Sequence, residues 1–403
     1  MSGSGLLRSR VAVLAVMIVA VLGGGSWVAL THAAAQPSGS AAAAGTHAGH
    51  DAAAGGRQGS AKPAAPPLRV LSVTPAADAT GVNGASPVTV AFSAPLAAGS
   101  PMPAISPRIS GHWQQVSSTS VQFVPKKGFA ALTRVRVRVP AGQDGVRSAA
   151  GGLLAAKVTV RFHTGSYATS RLEQLLAQLG YLPLNWTPAS ASDAIALTDA
   201  AAQRNAAYDP PAGTFSWQSG YPHQLRTFWD DGGSGSLILR GAVMAFENDH
   251  GLAMDGVVGP AVWRAMFEAV AAGQANTHGY TYARASETLP ETLTIWHDGH
   301  KVLRSLANTG IPAAPTTIGT APVYLRYRFQ IMKGTNPDGS KYADPVSYVA
   351  YFRAGEAVHY FPRGSYGFQQ SLGCVELPIS TAKLAWPYLT FGSLVTVAAP
   401  KSA

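Results

Sequence analysis

Between positions 68 and 164 the apolar residues fall in short alternating runs separated by turn residues. Val135-Arg136-Val137-Arg138-Val139 puts three valines on one side and two arginines on the other, the period-two pattern of a half-buried antiparallel strand. The runs at 68–73, 88–92, 120–124 and 158–162 read the same way, and regular strand spacing without helical periodicity predicts a β-sandwich over 68–165. The period then changes. Leu172, Leu175, Leu176 and Leu179 make one helical face, closed by Gly180 as a C-terminal cap. A Trp- and Pro-rich stretch follows to about Gly235, after which Leu239, Val243 and Phe246 form a second helical face. Gly259-Pro260 starts a third helix carrying Trp263, Phe267 and Val270. From 290 to 400 the strand signal returns: 293–296 and 301–303 form a hairpin around His297-Asp298-Gly299-His300, and 346–352, 356–361 and 394–397 read as further strands. A Pro378-led helical stretch interrupts them, so this last domain is mostly β with one helix. The whole is multidomain and mainly β.

The N-terminus adds a location. Arg8 and Arg10 precede an apolar run from Val11 to Leu22, and His32-Ala33-Ala34-Ala35 follows as a small-residue site. Residues 1–35 therefore read as an export signal. The run to Leu30 is also long enough for an uncleaved anchor, and either reading puts the remainder beyond the cytoplasmic membrane, touching it only through this segment. Residues 36–67 are Ala, Gly, Ser and Pro with little to bury, which predicts a disordered spacer. His47, His50 and Asp51 lie inside it, and a tract without order cannot preorganise a metal site; no metal or cofactor is expected. Net charge is +10 with only 12% of residues charged. So thin a spread lacks the Lys/Arg stripe of a nucleic-acid binder and suits a polyanionic wall.

Chemistry concentrates near the C-terminus. Cys374 is the only cysteine, and it follows His359 by fifteen positions. A lone cysteine in an exported chain makes no internal disulfide, and a histidine able to take its proton would make it a nucleophile. Glycine at 373 lets the main chain approach closely, so the N–H groups around Gly373 and Cys374 are candidate oxyanion donors. Ser371 is expected to order the loop or touch substrate.

Three resemblances attach to these segments. Residues 68–165 resemble bacterial immunoglobulin-like modules. In 166–275, Asp255-Gly256-Val257-Val258-Gly259-Pro260 and Trp263 resemble the small three-helix peptidoglycan-binding domain of wall hydrolases, departing from it by a long insertion that would alter a groove lined by Trp217 or Trp229. In 290–400, Asn308-Thr309-Gly310, the following Pro315-Thr316, Gly319-Thr320, His359 and Ser371-Leu372-Gly373-Cys374-Val375 resemble the YkuD catalytic domain of L,D-transpeptidases. That resemblance implies Cys374 as nucleophile and His359 as base and acid. It implies a thioester formed on a tetrapeptide stem with loss of D-alanine, a 3→3 cross-link to a second stem, peptidoglycan stems and glycan as partners, and carbapenem-type β-lactams as inhibitors. Many relatives carry a second histidine where this chain has Leu372, and an arginine or asparagine where it has Glu376. The substrate carboxylate is then left to Arg353 or Arg363, with Tyr360 as a further contact. An L,D-carboxypeptidase and a non-catalytic wall-binding protein remain as alternatives.

Overall fold

The computed structural model describes residues 64–400. The expected export segment, most of the spacer and the His47, His50, Asp51 cluster lie outside them. No helix among the described residues is long and apolar enough to cross a membrane.

Seven strands form the first domain: β1 (Val70–Thr74), β2 (Val88–Phe92), β3 (Ala104–Ser106), β4 (Gly111–Ser117), β5 (Ser120–Pro125), β6 (Arg134–Val139) and β7 (Val158–His163). They make two sheets, ordered β1-β2-β5-β4 and β3-β6-β7. The alternation in β6 does what its pattern dictates: Val135, Val137 and Val139 are fully buried while the arginines between them are exposed. Facing them across the sandwich are Val88, Val90, Phe92 and Val121. β3 and β4 had no sequence signal, because β3 is three residues long and β4 is largely polar and exposed.

The helical domain contains α1 (Thr169–Gln178), β8 (Leu184–Pro188), α2 (Ala200–Tyr208), β9 (Gly213–Trp217), α3 (His223–Arg226), α4 (Leu237–Asp249) and α5 (Pro260–Ala272). The three expected helices are α1, α4 and α5. Gly180 and Gly273, at φ 78° and 65°, end the first and last, where a left-handed residue is needed and glycine bears it without a Cβ clash. Ser236 Oγ caps α4 by accepting from Leu239 N at 3.2 Å. The expected insertion lies between α1 and α4 and contributes α2, α3 and the β8–β9 hairpin. Its tryptophans do not line an open groove. Trp217 and Trp229 are half-buried against the leucine core, Trp229 edge-on to Phe215 at 5.4 Å and Trp217 under the Arg226 guanidinium. Trp263 is only 7% exposed. α2 faces the sandwich instead: Gly128 N donates to Asn205 Oδ1 at 2.9 Å and Tyr208 Oη to Phe129 O at 3.1 Å.

The last domain comprises β10 (Thr281–Ser286), β11 (Thr292–His297), β12 (His300–Leu306), β13 (Gly319–Pro322), β14 (Leu325–Thr335), β15 (Lys341–Arg353), β16 (Glu356–Tyr360), β17 (Val375–Leu377), α6 (Ile379–Ala385) and β18 (Leu394–Ala398). A five-stranded sheet, β12-β11-β10-β18-β13, and a four-stranded sheet, β14-β15-β16-β17, enclose one apolar core. The hairpin between β11 and β12 turns through Asp298 and Gly299, at φ 47° and 78°, the double positive φ of a two-residue turn.

The helical and catalytic domains share a core. Tyr280, Tyr282 and Leu394 pack with the leucines of α1 and α4. At the seam two backbones touch directly: a Cβ on Gly241 of α4 would meet Gly392 O, and one on Gly220 would meet Gly299 O. Glycine inside a helix ordinarily costs about 1 kcal/mol relative to alanine, so Gly241→Ala should stabilise an isolated α4. Here we expect the reverse, a net loss of about 1–3 kcal/mol from the forced separation, read as a lower Tm of the full chain. An unchanged or raised Tm would show that the seam tolerates a methyl group.

Candidate active site

β16 and β17 pair in parallel with Val358 beside Val375, His359 beside Glu376 and Tyr360 beside Leu377. Strand periodicity then sorts the side chains. Val358, Val375 and Leu377 enter the core between the sheets, while His359, Cys374 and Glu376 turn to the opposite face and line a cavity of about 400 Å³. The β14–β15 hairpin supplies another wall through Gln330, Met332, Tyr342 and Tyr351, and Leu372 contributes an apolar edge.

The loop ahead of Cys374 is held from within. Gly373 has φ 104°, a region that strains any residue with a Cβ. Ser371 is fully buried; its Oγ donates to Cys374 O at 2.6 Å and accepts from Gly373 N at 3.3 Å. Its backbone is fastened to the Asn-Thr-Gly segment by Ser371 N to Thr309 O, 3.0 Å, and Ile311 N to Ser371 O, 2.9 Å. Thr309 is anchored in turn on the buried Glu291, which accepts from its N–H at 2.7 Å and its hydroxyl at 2.9 Å.

Cys374 is 8% exposed and His359 3%. Burial pushes the thiol up to about 12, assisted by the Glu376 and Glu356 carboxylates and opposed by the Ala357 N–H. Burial also holds the imidazole below its ordinary range, against the pull of Tyr360 O and Glu376. Both shifts favour the uncharged form, so near neutral pH the pair is thiol and imidazole rather than thiolate and imidazolium. His359 Nδ1 lies 3.0 Å from Tyr360 O; a carbonyl only accepts, so Nδ1 carries the proton and Nε2 is the lone-pair nitrogen. The Cys374 thiol points to Gly355 O at 3.8 Å, with no direct hydrogen bond to His359 among the described residues. Catalytic hydrogen bonds are commonly long before substrate binds.

Glu376 is not a free anion. Arg363 grips it with Nε at 2.8 Å and Nη2 at 2.7 Å, and Asn308 Nδ2 donates to it at 3.2 Å. The Asn308 and Glu376 backbones exchange two 3.0 Å bonds, and Asn308 Oδ1 accepts from Gly367 N. This bears on two expectations about the substrate carboxylate, since Arg363 lines the cavity but is engaged within the protein. The Arg363 fork is already filled by Glu376, and Arg353 lies outside the cavity lining, its Nη1 directed at the carbonyls of Thr317 and Ile318. The Tyr360 ring packs on the opposite, core side, and its carbonyl lies against His359 Nδ1. Sequence reading missed Glu291 and the β14–β15 wall. The alternation Tyr327, Phe329, Ile331 against Arg328, Gln330, Met332 was the available signal for that wall.

Removing one partner of a buried ion pair leaves the other charge uncompensated, at about 3–5 kcal/mol. Arg363→Met should therefore destabilise the chain strongly, and Arg363→Met with Glu376→Gln should recover part of that loss. Chemical denaturation of the two single variants and the double variant measures the coupling; simple additivity would mean the pair does not act as a unit.

Comparison with known proteins covers two of the three domains. Residues 64–164 match the family model of a bacterial Ig-like domain, and residues 285–397 that of the L,D-transpeptidase catalytic domain, YkuD. No curated protein matches the chain. Among solved structures, L,D-transpeptidase LdtMt1 in complex with imipenem is 18% identical over 83% of this chain and 100% of its own, with TM-score 0.28. L,D-transpeptidase 3 from Mycobacterium tuberculosis is 16% identical over 81% and 98%, with TM-score 0.27. The catalytic domain of the E. faecium enzyme is 26% identical over 30% and 99%, also with TM-score 0.27. Superpositions at these scores add nothing to the assignment, which rests on the two matched segments. The cavity holding Cys374 and His359 thus belongs to a YkuD-type L,D-transpeptidase catalytic domain, carried in this chain behind a bacterial Ig-like domain.

Proposed function

We propose that the protein is a cell-wall L,D-transpeptidase that joins peptidoglycan stems through a thioester on Cys374. The observation that carries this reading is the placement of the sole cysteine and His359 on one face of adjoining parallel strands, in one cavity. The export-signal pattern of residues 1–35, the Ig-like domain and the net positive charge suit work outside the membrane.

A tetrapeptide stem entering the cavity displaces water and brings the carbonyl of its third residue against Sγ. His359 Nε2 takes the thiol proton as the S–C bond forms, so the charged pair arises only in the transition state, where differential binding accelerates reaction. The oxyanion falls near the Cys374 and Gly373 N–H groups; the latter is spent only on a long 3.3 Å contact that an anion would displace. Collapse breaks the amide bond, the imidazolium returns its proton to the departing amine of D-alanine, and a thioester remains. A side-chain amine of a second stem then attacks, gives its proton to His359, and expels the thiolate, which recovers that proton. With Leu372 beside the motif glycine, His359 serves as base and acid alone.

Incubating the full chain with disaccharide-tetrapeptide should give a dimer lacking one D-alanine by mass. A tripeptide product would instead indicate that water accepts the acyl group, and unchanged substrate would refute enzymatic action on stems.

Acylation by imipenem isolates the first half-reaction. The wild type should gain one drug mass and Cys374→Ser should not. His359 must be neutral to act, and its protonation is disfavoured by burial, so the acid limb of the rate should lie below the ordinary imidazole value of 6.5. Burial raises the thiol as well, so its ionisation should add no change of rate near neutral pH. His359→Ala should slow acylation by about 10²–10⁴; equal rates across the pH range would remove His359 from the mechanism.

A further inference from the structure

A larger groove, about 900 Å³, opens where the Ig-like sandwich meets the helical domain. Its walls are the β3–β4 segment, the loop at Lys127 and Gly128, and Arg204 of α2. Arg108, Lys127 and Arg204 all line it, and no acidic residue does. Lys127 and Arg204 lie close enough that, after burial, the guanidinium further lowers the Lys127 ammonium. Arg204 Nε is buried and has no hydrogen-bond partner among the described residues. Gathering cations without a counter-charge is unfavourable in the free protein, and an anion would relieve it.

The floor is aromatic. Trp113 is half-buried, its ring 5.6 Å from that of Phe123, and Gly111 stands where a Cβ would strike the Phe123 ring. One wall exists only because of the insertion in the helical domain, since α2 carries Arg204 and is docked on the sandwich through Asn205 and Tyr208.

We propose that this groove binds an anionic saccharide, with a sugar face on Trp113 and the acidic group among Arg108, Lys127 and Arg204. The volume is in the range of small-ligand sites, about 300–1,000 Å³, enough for a few sugar units. The aromatic floor favours a saccharide over a bare polyanion. A single-stranded nucleic acid would want successive exposed stacking rings, whereas here Trp113 stands alone, Phe123 being buried beneath it. The groove shares no lining residue with the Cys374 cavity, so the inference stands independently of the catalytic reading.

Isothermal titration of the full chain at low salt tests it with four probes. These are an N-acetylglucosamine–N-acetylmuramic acid disaccharide with its lactyl carboxylate free, N,N′-diacetylchitobiose 6-phosphate, neutral chitotetraose and an oligothymidylate. One or both anionic saccharides should bind, more weakly as salt rises, and comparing the two identifies carboxylate or phosphate as the recognised group. Arg108→Gln and Lys127→Gln should each weaken binding about tenfold, the loss of one charge-assisted contact. Thermal melting of both variants should match that of the wild type, which shows that they fold. Chitotetraose binding equally well, oligothymidylate binding best, absence of binding by both anionic saccharides, or affinity indifferent to both substitutions would each overturn the assignment.

Discussion

The catalytic loop is held by one buried carboxylate. Glu376 sits beside His359 across the β16–β17 ladder, bound by the Arg363 fork and by both the side chain and the backbone of Asn308. Three segments converge on it: the Asn-Thr-Gly turn, the loop starting at Arg363, whose Gly367 amide is fixed by Asn308, and the strand that follows Cys374. A charge this deep is tolerable only when its oxygens are satisfied. Satisfying them fixes where the chain runs on either side of the cysteine, so the thiol inherits its position from an ion pair that need not touch substrate.

That arrangement also explains why the cysteine is quiet at rest. Burial raises the thiol most, and a second carboxylate, Glu356, acts with Glu376 in the same direction. Negative charge near a thiol opposes thiolate, while positive charge would favour it. Burial and these carboxylates therefore favour the protonated thiol at Cys374, and burial likewise favours neutral His359.

Much of this was legible in the chain because the chemistry and the period coincide. His359 near the end of an alternating strand and Cys374 after a glycine are local patterns, and local patterns survive folding. The valine-arginine alternation of β6 and the glycine ends of α1 and α5 were legible for the same reason. What failed was long-range. Nothing near Arg363 in sequence shows that its fork is filled by a glutamate thirteen positions on, and Arg353 was linked to the substrate by sequence proximity alone. The helical insertion looked like irregular chain because its hairpin strands pair around a helix, which no short window displays. Trp217 and Trp229 read as groove residues when their surroundings were unknown, and packing places them against leucines.

The seam between the helical and catalytic domains has a different implication, one for how such a chain can change over generations. Side-chain interfaces drift readily, since a lost methyl on one partner can be met by a gained methyl on the other. At Gly241–Gly392 and Gly220–Gly299 the contact is carbonyl oxygen against α-carbon, and no compensating substitution exists for a partner that already has no side chain. With Tyr280, Tyr282 and Leu394 sunk among the leucines of the neighbouring helices, moving the catalytic domain onto another scaffold would expose this apolar surface. A side chain at any of the four glycines would push the two backbones apart.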